Sequence, residues 1–424
     1  MKKLDFIYFD AGGGHRAAAS ALLQVIEQQG RGFEVRMVNL QEILDAIDVF
    51  RKLTGLRLQD AYNLMLKKGW TLGSVQLTAG LQLLIRAFHS RAVRVLAEFW
   101  RGARPDMVVS LVPHFNRALG EGLRRAFTAP PPLVTILTDL ADYPPRFWME
   151  RQEQDFICGS DKAVEQALAM GHLESRVHRV SGMILNPRFY QVEPLTAHQR
   201  AEERYQLGFD ADLPVGLVLF GGQGAWVIRQ IAARLPDRQL LLICGHNDKL
   251  RAALEAMPHP APVFVEGFTK ELPRYMQLAD YFIGKPGPGS ISEAVAMHLP
   301  VIVERNAWTL PQERYNAEWI SENGVGIVLE NFHNIARAVD QLLEPSNYER
   351  LRRATERLHN RAVQLTLHYH WIDRPAAIMG RGVFQDPHFA GFNVDFDHGR
   401  LPAKGPGDRL GREISTRVEA RIGT

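Results

Sequence analysis

Short apolar runs alternate with amphipathic stretches along almost the whole chain. Leu4–Phe9, Phe33–Leu40, Met107–Leu111, Leu133–Thr138, Phe156–Gly159 and His178–Val180 punctuate the first half. Gly216–Phe220, Leu240–Cys244, Val263–Glu266, Tyr281–Ile283, Val301–Val303 and Gly326–Leu329 punctuate the second. Apolar runs this short, separated by helical stretches, predict parallel strands covered by helices on both faces. The pattern restarts: "FIYFDAGGGHRAAASALLQVI" opens the first series and "GLVLFGGQGAWVIRQIAARL" the second, each reading strand, glycine loop, helix. The polar, proline-bearing stretch 186–214 separates them. The expected architecture is therefore α/β, with two similar domains facing each other across a cleft: residues 1–186, a linker at 187–213, and residues 214–373. From Arg374 the alternation is lost and glycine, proline and charge accumulate, so 374–424 reads as a poorly ordered tail.

Residues 51–104 break the rhythm. Arg51, Lys52, Arg57, Lys67, Lys68, Arg86, Arg91, Arg94, Arg101 and Arg104 face only Asp60 and Glu98 in this stretch, and Leu66, Trp70, Leu83, Phe88 and Trp100 interleave with them. Helices with one cationic and one apolar face lie on anionic membrane surfaces. Core helices with solvated charges produce the same pattern, and the residues alone do not separate the two.

Composition narrows the field. A chain of 424 residues implies two or three domains, and 46% hydrophobic with 23% charged residues is an ordinary globular balance. A net charge of +3 leaves any affinity for anions to local clusters, and no nucleic-acid partner is expected. Cys158 and Cys244 are the only cysteines, too few for a disulfide framework or a zinc site, and fit buried thiols in a reducing compartment. The N-terminus, MKKLDFIYFD, lacks the apolar core of a signal peptide, and no uncharged stretch reaches the ~18 residues of a membrane span. The expectation is a soluble or peripheral protein of the cytoplasm.

The chemistry lies in the loops. "GKPGPGSISEA" (284–294) joins a strand to a helix with glycines that admit close approach and prolines that hold one shape. The first N–H groups of a helix have no partners within it, and the dipole there favours anions, so Gly287–Ser290 is suited to a pyrophosphate. It is no Walker loop, since Lys285 precedes the glycines. Glu293 has two readings: the end of a capping box opened by Ser290, or a carboxylate for the hydroxyls of a ribose. The loop Gly12-Gly13-Gly14-His15 lacks the spacing of a dinucleotide fingerprint and presents His15 as a candidate general base, or as a surface histidine at a helix start. Asp139 ends a strand at its carboxyl end, where ligand crevices form in such sheets, though it could simply cap a turn. Asp395-Phe396-Asp397 resembles a metal-holding Asp-x-Asp but sits in the tail, so no metal is assigned.

Taken together, "GGGHRAAASAL" (12–22), "TDL" (138–140), "FGGQG" (220–224), "ICGHNDKL" (243–250), "VEGFTKELPRYMQLADYFIGKPGPGSISEA" (265–294) and "PQERYN" (311–316) resemble the monogalactosyldiacylglycerol synthases and diacylglycerol glucosyltransferases. These are related to the enzyme that adds N-acetylglucosamine to the lipid-linked peptidoglycan precursor. The resemblance runs from about residue 5 to about 345. It implies a GT-B type fold of two Rossmann-like domains, the first receiving the acceptor and the second a UDP-sugar. By position, Gly222 and Gly224 would line the cleft beside the donor phosphates, with Gly267 and Phe268 against the uracil. Gly287, Gly289 and Ser290 would hold the pyrophosphate, Glu293 the ribose, and Gln312, Glu313 and Asn316 the sugar and phosphate region. His15 would stand on the acceptor side with Gly13 and Gly14, and 51–104 would match the family's membrane-docking region. In one place the chain departs from the family: after the TDL aspartate a histidine usually precedes the aromatic pair, and here the chain reads Tyr143-Pro144-Pro145-Arg146-Phe147-Trp148.

The reaction expected from this resemblance is inverting transfer of a hexose from a UDP-sugar to a lipid hydroxyl, most simply diacylglycerol, with His15 or Asp139 as base and no metal or other cofactor. The partners are the UDP-sugar, the lipid acceptor and an anionic membrane's inner face. Rival readings are a polyprenyl-linked or soluble acceptor, a UDP-sugar epimerase, and a non-catalytic sensor of UDP-sugars.

Overall fold

The computed structural model describes residues 1–10, 14–45, 74–307 and 309–368, the last without the side chains of Leu365 and His368, and 74–84 as backbone only. Gly13, the stretch 51–73 and the tail 374–424 lie outside the described residues.

Two parallel sheets form the scaffold. The first is built from β1 (Lys2–Tyr8), β2 (Phe33–Asn39), β3 (Met107–Ser110), β4 (Leu133–Ile136), β5 (Asp155–Cys158) and β6 (Val177–Arg179), in the order β2-β1-β3-β4-β5-β6. The second is built from β7 (Val215–Leu219), β8 (Gln239–Ile243), β9 (Val263–Glu266), β10 (Tyr281–Gly284), β11 (Val301–Glu304) and β12 (Gly326–Leu329), ordered β12-β11-β10-β7-β8-β9. Every residue of β3, β4, β7, β8 and β10 is buried, as expected for strands sandwiched between helices. Strand order reverses beside β1 and β3 in the first sheet, and beside β7 and β10 in the second. Ligand crevices open at such switch points, beyond the carboxyl ends of the strands.

The helices that bear on the site are, in chain order, α1 (Gly14–Gln28), α2 (Ser74–Ala103), α3 (Asn116–Ala126), α4 (Ala197–Gln206), α5 (Pro288–Ala296), α6 (Arg314–Asn323) and α7 (Ala362–His368). In α1 the small and branched residues Ala18, Ala21, Leu22 and Val25 recur at helical spacing and are buried on the first sheet.

Three features differ from the pattern read along the chain. The stretch 51–104 ends in a core helix: along α2, Val93, Leu96 and Trp100 are buried against α3, where a Cβ on Gly122 would stand only 3.0 Å from Leu96 and Trp100. Trp100 also donates from Nε1 to Asp5 of β1 at 3.2 Å, and Asp5 is paired with Arg36 at 2.7 Å. Arg86, Arg91, Arg94 and Arg101 remain on the outer face of α2, with Arg117, Arg124 and Arg125 of α3 also exposed. The polar linker 187–213 contains α4, whose start Thr196 and Gln199 close with a capping box. Buried Arg204 of α4 donates to the Leu278 carbonyl and to Asp280, which also receives Arg200 and the Val215 N–H. Polarity here marked a buried charge network belonging to the second domain. Finally, α7 leaves the second domain: Ala362, Val363 and Leu367 join the core of the first sheet, and Arg31 donates to the Leu367 carbonyl at 2.7 Å. A few apolar residues suffice for that return, and they gave no boundary signal before residue 373.

Among the described residues no helix is long and apolar enough to cross a membrane. Both cysteines are free and buried.

The network on Asp280 yields a direct expectation. Asp280→Ala strands the guanidinium of Arg204, 3% exposed, without its carboxylate. Breaking a buried pair by removing one partner costs about 3–5 kcal/mol. A urea midpoint unchanged by the substitution would show that α4 contributes no such lock.

Candidate active site

In the second domain, the loops after β7, β8 and β10 meet at the switch point. Gly221 and Gly224 adopt φ of 74° and 63°, and Gly245 one of 56°. A Cβ on Gly224 would lie 2.1 Å from the Cys244 carbonyl, and one on Gly245 2.2 Å from the Gly222 carbonyl. These glycines let two loops lie backbone on backbone, so Gly224 builds the floor of the crevice rather than facing it. Gly222 is exposed, with open space where its Cβ would stand.

After β10 the chain turns into α5 with Gly287 as N-cap and Pro288 as the first helical residue. No side chain caps this end. Ile291 N–H bonds the Gly287 carbonyl at 3.1 Å, which leaves the N–H groups of Gly289 and Ser290 without acceptors in their own helix. Space beside Gly289 is open. Ser290 therefore sits inside the first turn, and the capping box with Glu293 does not form. Among the described residues the Glu293 carboxylate has no hydrogen-bond partner, and burial raises its pKa to about 7, with Arg188 opposing the shift.

Lys285 and Glu313 complete this half. The Lys285 ammonium lies 2.6 Å from Glu313 Oε1. Glu313 ends the turn Pro311–Glu313, which also carries half-buried Gln312. Asn316 is wholly buried and donates to the Pro286 carbonyl at 2.8 Å. Its amide nitrogen thereby clamps the loop that precedes α5, and its Oδ1 has no hydrogen-bond partner among the described residues. Gly267 is buried, 3.4 Å from Arg251 at its Cβ position, and Phe268 is 55% exposed and stacked on His246 with ring centroids 4.0 Å apart. The stack presents a flat aromatic face to solvent, a suitable surface for a planar ring.

The first domain supplies the groups opposite. His15 stands in the first turn of α1, just after Gly14, whose Cβ position is open. Its Nδ1 lies 2.9 Å from the Thr138 hydroxyl, and its ring packs 5.8 Å from Trp148. Burial lowers its pKa to about 4, so the imidazole is neutral near pH 7. Asp139 follows Thr138 and is 6% exposed. Trp148 Nε1 donates to its Oδ2 at 2.9 Å. Its pKa rises to about 7, chiefly through burial; the Trp148 bond opposes this, and from across the cleft Glu313 raises it while Lys285 lowers it. Trp148 is held in turn by Asp142, which accepts the backbone N–H groups of Trp148 and Arg146. In the loop between Asp139 and Trp148, Tyr143 packs against Tyr315 of α6 with ring centroids 6.2 Å apart.

Structure thus brings together His15, Thr138, Asp139 and Trp148 on one side, and Gly222, Gly287–Ser290, Glu293, Lys285 and Glu313 on the other. Thr138, Trp148, His246 and Lys285 had not been singled out, although three stand inside quoted motifs and Trp148 in the aromatic pair. Its place before the glycines marks Lys285 in the sequence only as a lysine in the wrong position for a Walker loop, because its partner Glu313 is remote along the chain.

Residues 217–365 match the glycosyltransferase family 28 C-terminal domain. The chain is 28% identical over 372 residues to the chloroplastic monogalactosyldiacylglycerol synthase of Spinacia oleracea, covering 82% of this chain and 67% of that protein. Among solved structures it superimposes on MurG of Acinetobacter baumannii with a TM-score of 0.54 at 13% identity, covering 87% of this chain and 99% of that one. The calicheamicin glycosyltransferase CalG4 gives 0.56 at 16% identity, covering 89% and 99%. Two six-stranded parallel sheets in this arrangement are the GT-B fold shared by those solved glycosyltransferases. Within that class the chain is similar to the monogalactosyldiacylglycerol synthases, at 28% identity to the relatives from Spinacia oleracea and Arabidopsis thaliana.

Glu293 provides a test of the site's electrostatics. Its folded pKa is about 7 against 4.5 in the unfolded chain, so between these values the native state holds the extra proton. Its stabilising contribution is therefore full below the unfolded pKa and is lost as pH rises through 7. Glu293→Gln stays neutral throughout, and at pH 8 it should exceed the wild type in stability by about 1–3 kcal/mol. Near pH 5 the gap should close. Urea unfolding at the two pH values reads this directly, and a pH-independent gap would contradict the raised pKa.

Proposed function

We propose that this enzyme transfers a hexose, with inversion, from a UDP-sugar to the hydroxyl of a membrane lipid, diacylglycerol being the first candidate. One observation carries the reading: Asp139, fixed through one oxygen by Trp148, faces a second-domain crevice whose helix start lacks acceptors for its N–H groups. The names of the relatives support the choice of lipid and sugar.

Asp139 removes the acceptor proton while the hydroxyl oxygen attacks the anomeric carbon and the bond to UDP breaks. A base near pKa 7 is matched to that task at neutral pH, whereas the His15 imidazole at about 4 is a weak one already engaged with Thr138. His15 then orients the acceptor. The leaving diphosphate takes its stabilisation from the Gly289 and Ser290 N–H groups and the α5 dipole, with no metal invoked, and such preorganised donors usually supply the largest catalytic term. Glu293, unpaired, receives the ribose hydroxyls, and Phe268 with His246 flanks the uracil. Gln312 and Glu313 face the sugar. The exposed arginines of α2 and α3, with the basic stretch before them, rest on an anionic lipid surface.

Label from a panel of UDP-sugars should enter organic-extractable lipid in mixed micelles of diacylglycerol and anionic phospholipid. Label that moves only to water, or only to a soluble alcohol, would remove the lipid acceptor. A second expectation concerns pH. The Asp139 carboxylate is the active form, so kcat/KM should fall about tenfold per pH unit below about 7. Asp139→Asn should lose about 10²–10⁴-fold in kcat, and His15→Ala should keep the acid limb. Loss of that limb in His15→Ala would move the base role to His15.

A further inference from the structure

We infer that Lys285 binds the donor's diphosphate and is otherwise held by Glu313, so that donor binding exchanges one ion pair for another. The inference rests on the proposed use of this crevice for a nucleoside diphosphate sugar. Lys285 spans the two glycine loops: its Cε lies 3.8 Å from the Cβ position of Gly221 and 3.2 Å from that of Gly287, with Nζ 3.7 Å from the latter. It therefore stands over the floor from which the Gly289 and Ser290 N–H groups open. Its side chain is 37% exposed, and the Glu313 carboxylate that holds it is 9% exposed.

A diphosphate arriving at the α5 start brings more negative charge to Lys285 than one carboxylate does, and charge-assisted bonds to phosphate are strong. The ammonium turns to it, and Glu313 Oε1 loses its partner. A buried carboxylate cannot be left bare, so Glu313 takes hydroxyl donors from the sugar that enters with the diphosphate. The pair thus keeps both groups satisfied before binding and releases each to a different part of one ligand.

The exchange reaches the other domain. Lys285 and Glu313 both act on Asp139, in opposite directions. With Lys285 neutralised by phosphate, the charge that lowers the Asp139 pKa is cancelled, and the carboxylate becomes a stronger base when the donor is in place.

The test is binding of uridine, UMP and UDP to the full-length enzyme, wild type against Lys285→Met, Lys285→Arg, Glu313→Gln and the double variant, by calorimetry. Lys285→Met should weaken UDP by about tenfold or more and leave uridine within about twofold, and Lys285→Arg should retain most of the UDP affinity. Glu313→Gln should tighten UDP, since the competitor for Lys285 is gone, while slowing transfer. That tightening should vanish in the Lys285→Met background, which separates exchange from simple repulsion between Glu313 and phosphate. UDP affinity unchanged in Lys285→Met, or equal tightening by Glu313→Gln with and without Lys285, overturns the exchange alone. A wild type that binds none of the three overturns the donor reading and this inference with it.

Discussion

A helix that starts from Gly287 and Pro288 exposes N–H groups that its own turns cannot satisfy, and no side chain caps them. Most proteins remove that deficit with a serine or aspartate at the cap. Here the deficit is kept, and neighbouring parts are arranged to preserve it. Asn316 fixes the Pro286 carbonyl from beneath, so the loop cannot turn its own oxygen toward the helix. Gly224 and Gly245 bring the adjoining loops into backbone contact and keep the crevice floor free of side chains. Lys285 adds a cation at its rim while Glu313 balances it. An uncapped helix start in a polar crevice costs stability, and the surroundings make it rigid enough to be useful.

The first domain solves the complementary problem of holding a carboxylate with a raised pKa. Burial alone would leave Asp139 protonated and loosely oriented. Trp148 donates to one oxygen only, which favours the charged form enough to keep the pKa near 7 and fixes the plane of the group. That indole is positioned by a loop folded over Asp142, whose carboxylate accepts successive backbone N–H groups. His15 is kept neutral and tied to Thr138, beside the same indole. The acidic and the imidazole group thus have pKa values shifted in opposite senses by one burial effect, so that their usual order is inverted.

Much of the scaffold was legible because parallel strands buried on both faces leave continuous apolar runs, and because glycine loops follow the first strand of each sheet. The loops of the site were legible for a related reason: close backbone approach requires glycine, and glycine is visible. What stayed hidden depends on partners remote in sequence. Lys285 and Glu313, Trp148 and Asp139, or Arg204 and Asp280 become pairs only when strands are ordered. The same holds for Asn316, whose bond to the Pro286 carbonyl joins residues 30 apart in sequence. The capping-box reading of Glu293 failed because Pro288 begins the helix earlier than Ser290 would, and proline at the first helical position is itself a start signal.

Tyr143 lies in the loop between Asp139 and Trp148, and its surroundings tie that loop to the second domain. Its ring lies against Tyr315 of α6, beside a small cluster of Leu140, Ala141 and Met183 that joins the loop after Asp139 to the second domain. Asn316, the next residue of α6, clamps the donor-side loop. One short seam therefore connects the carboxylate loop of one domain to the phosphate-type loop of the other. The tyrosine ring puts an apolar contact there and makes the register of the two domains depend on packing. Asp139 directly precedes Leu140 of this cluster, so the seam and the Trp148 bond together hold its loop in place.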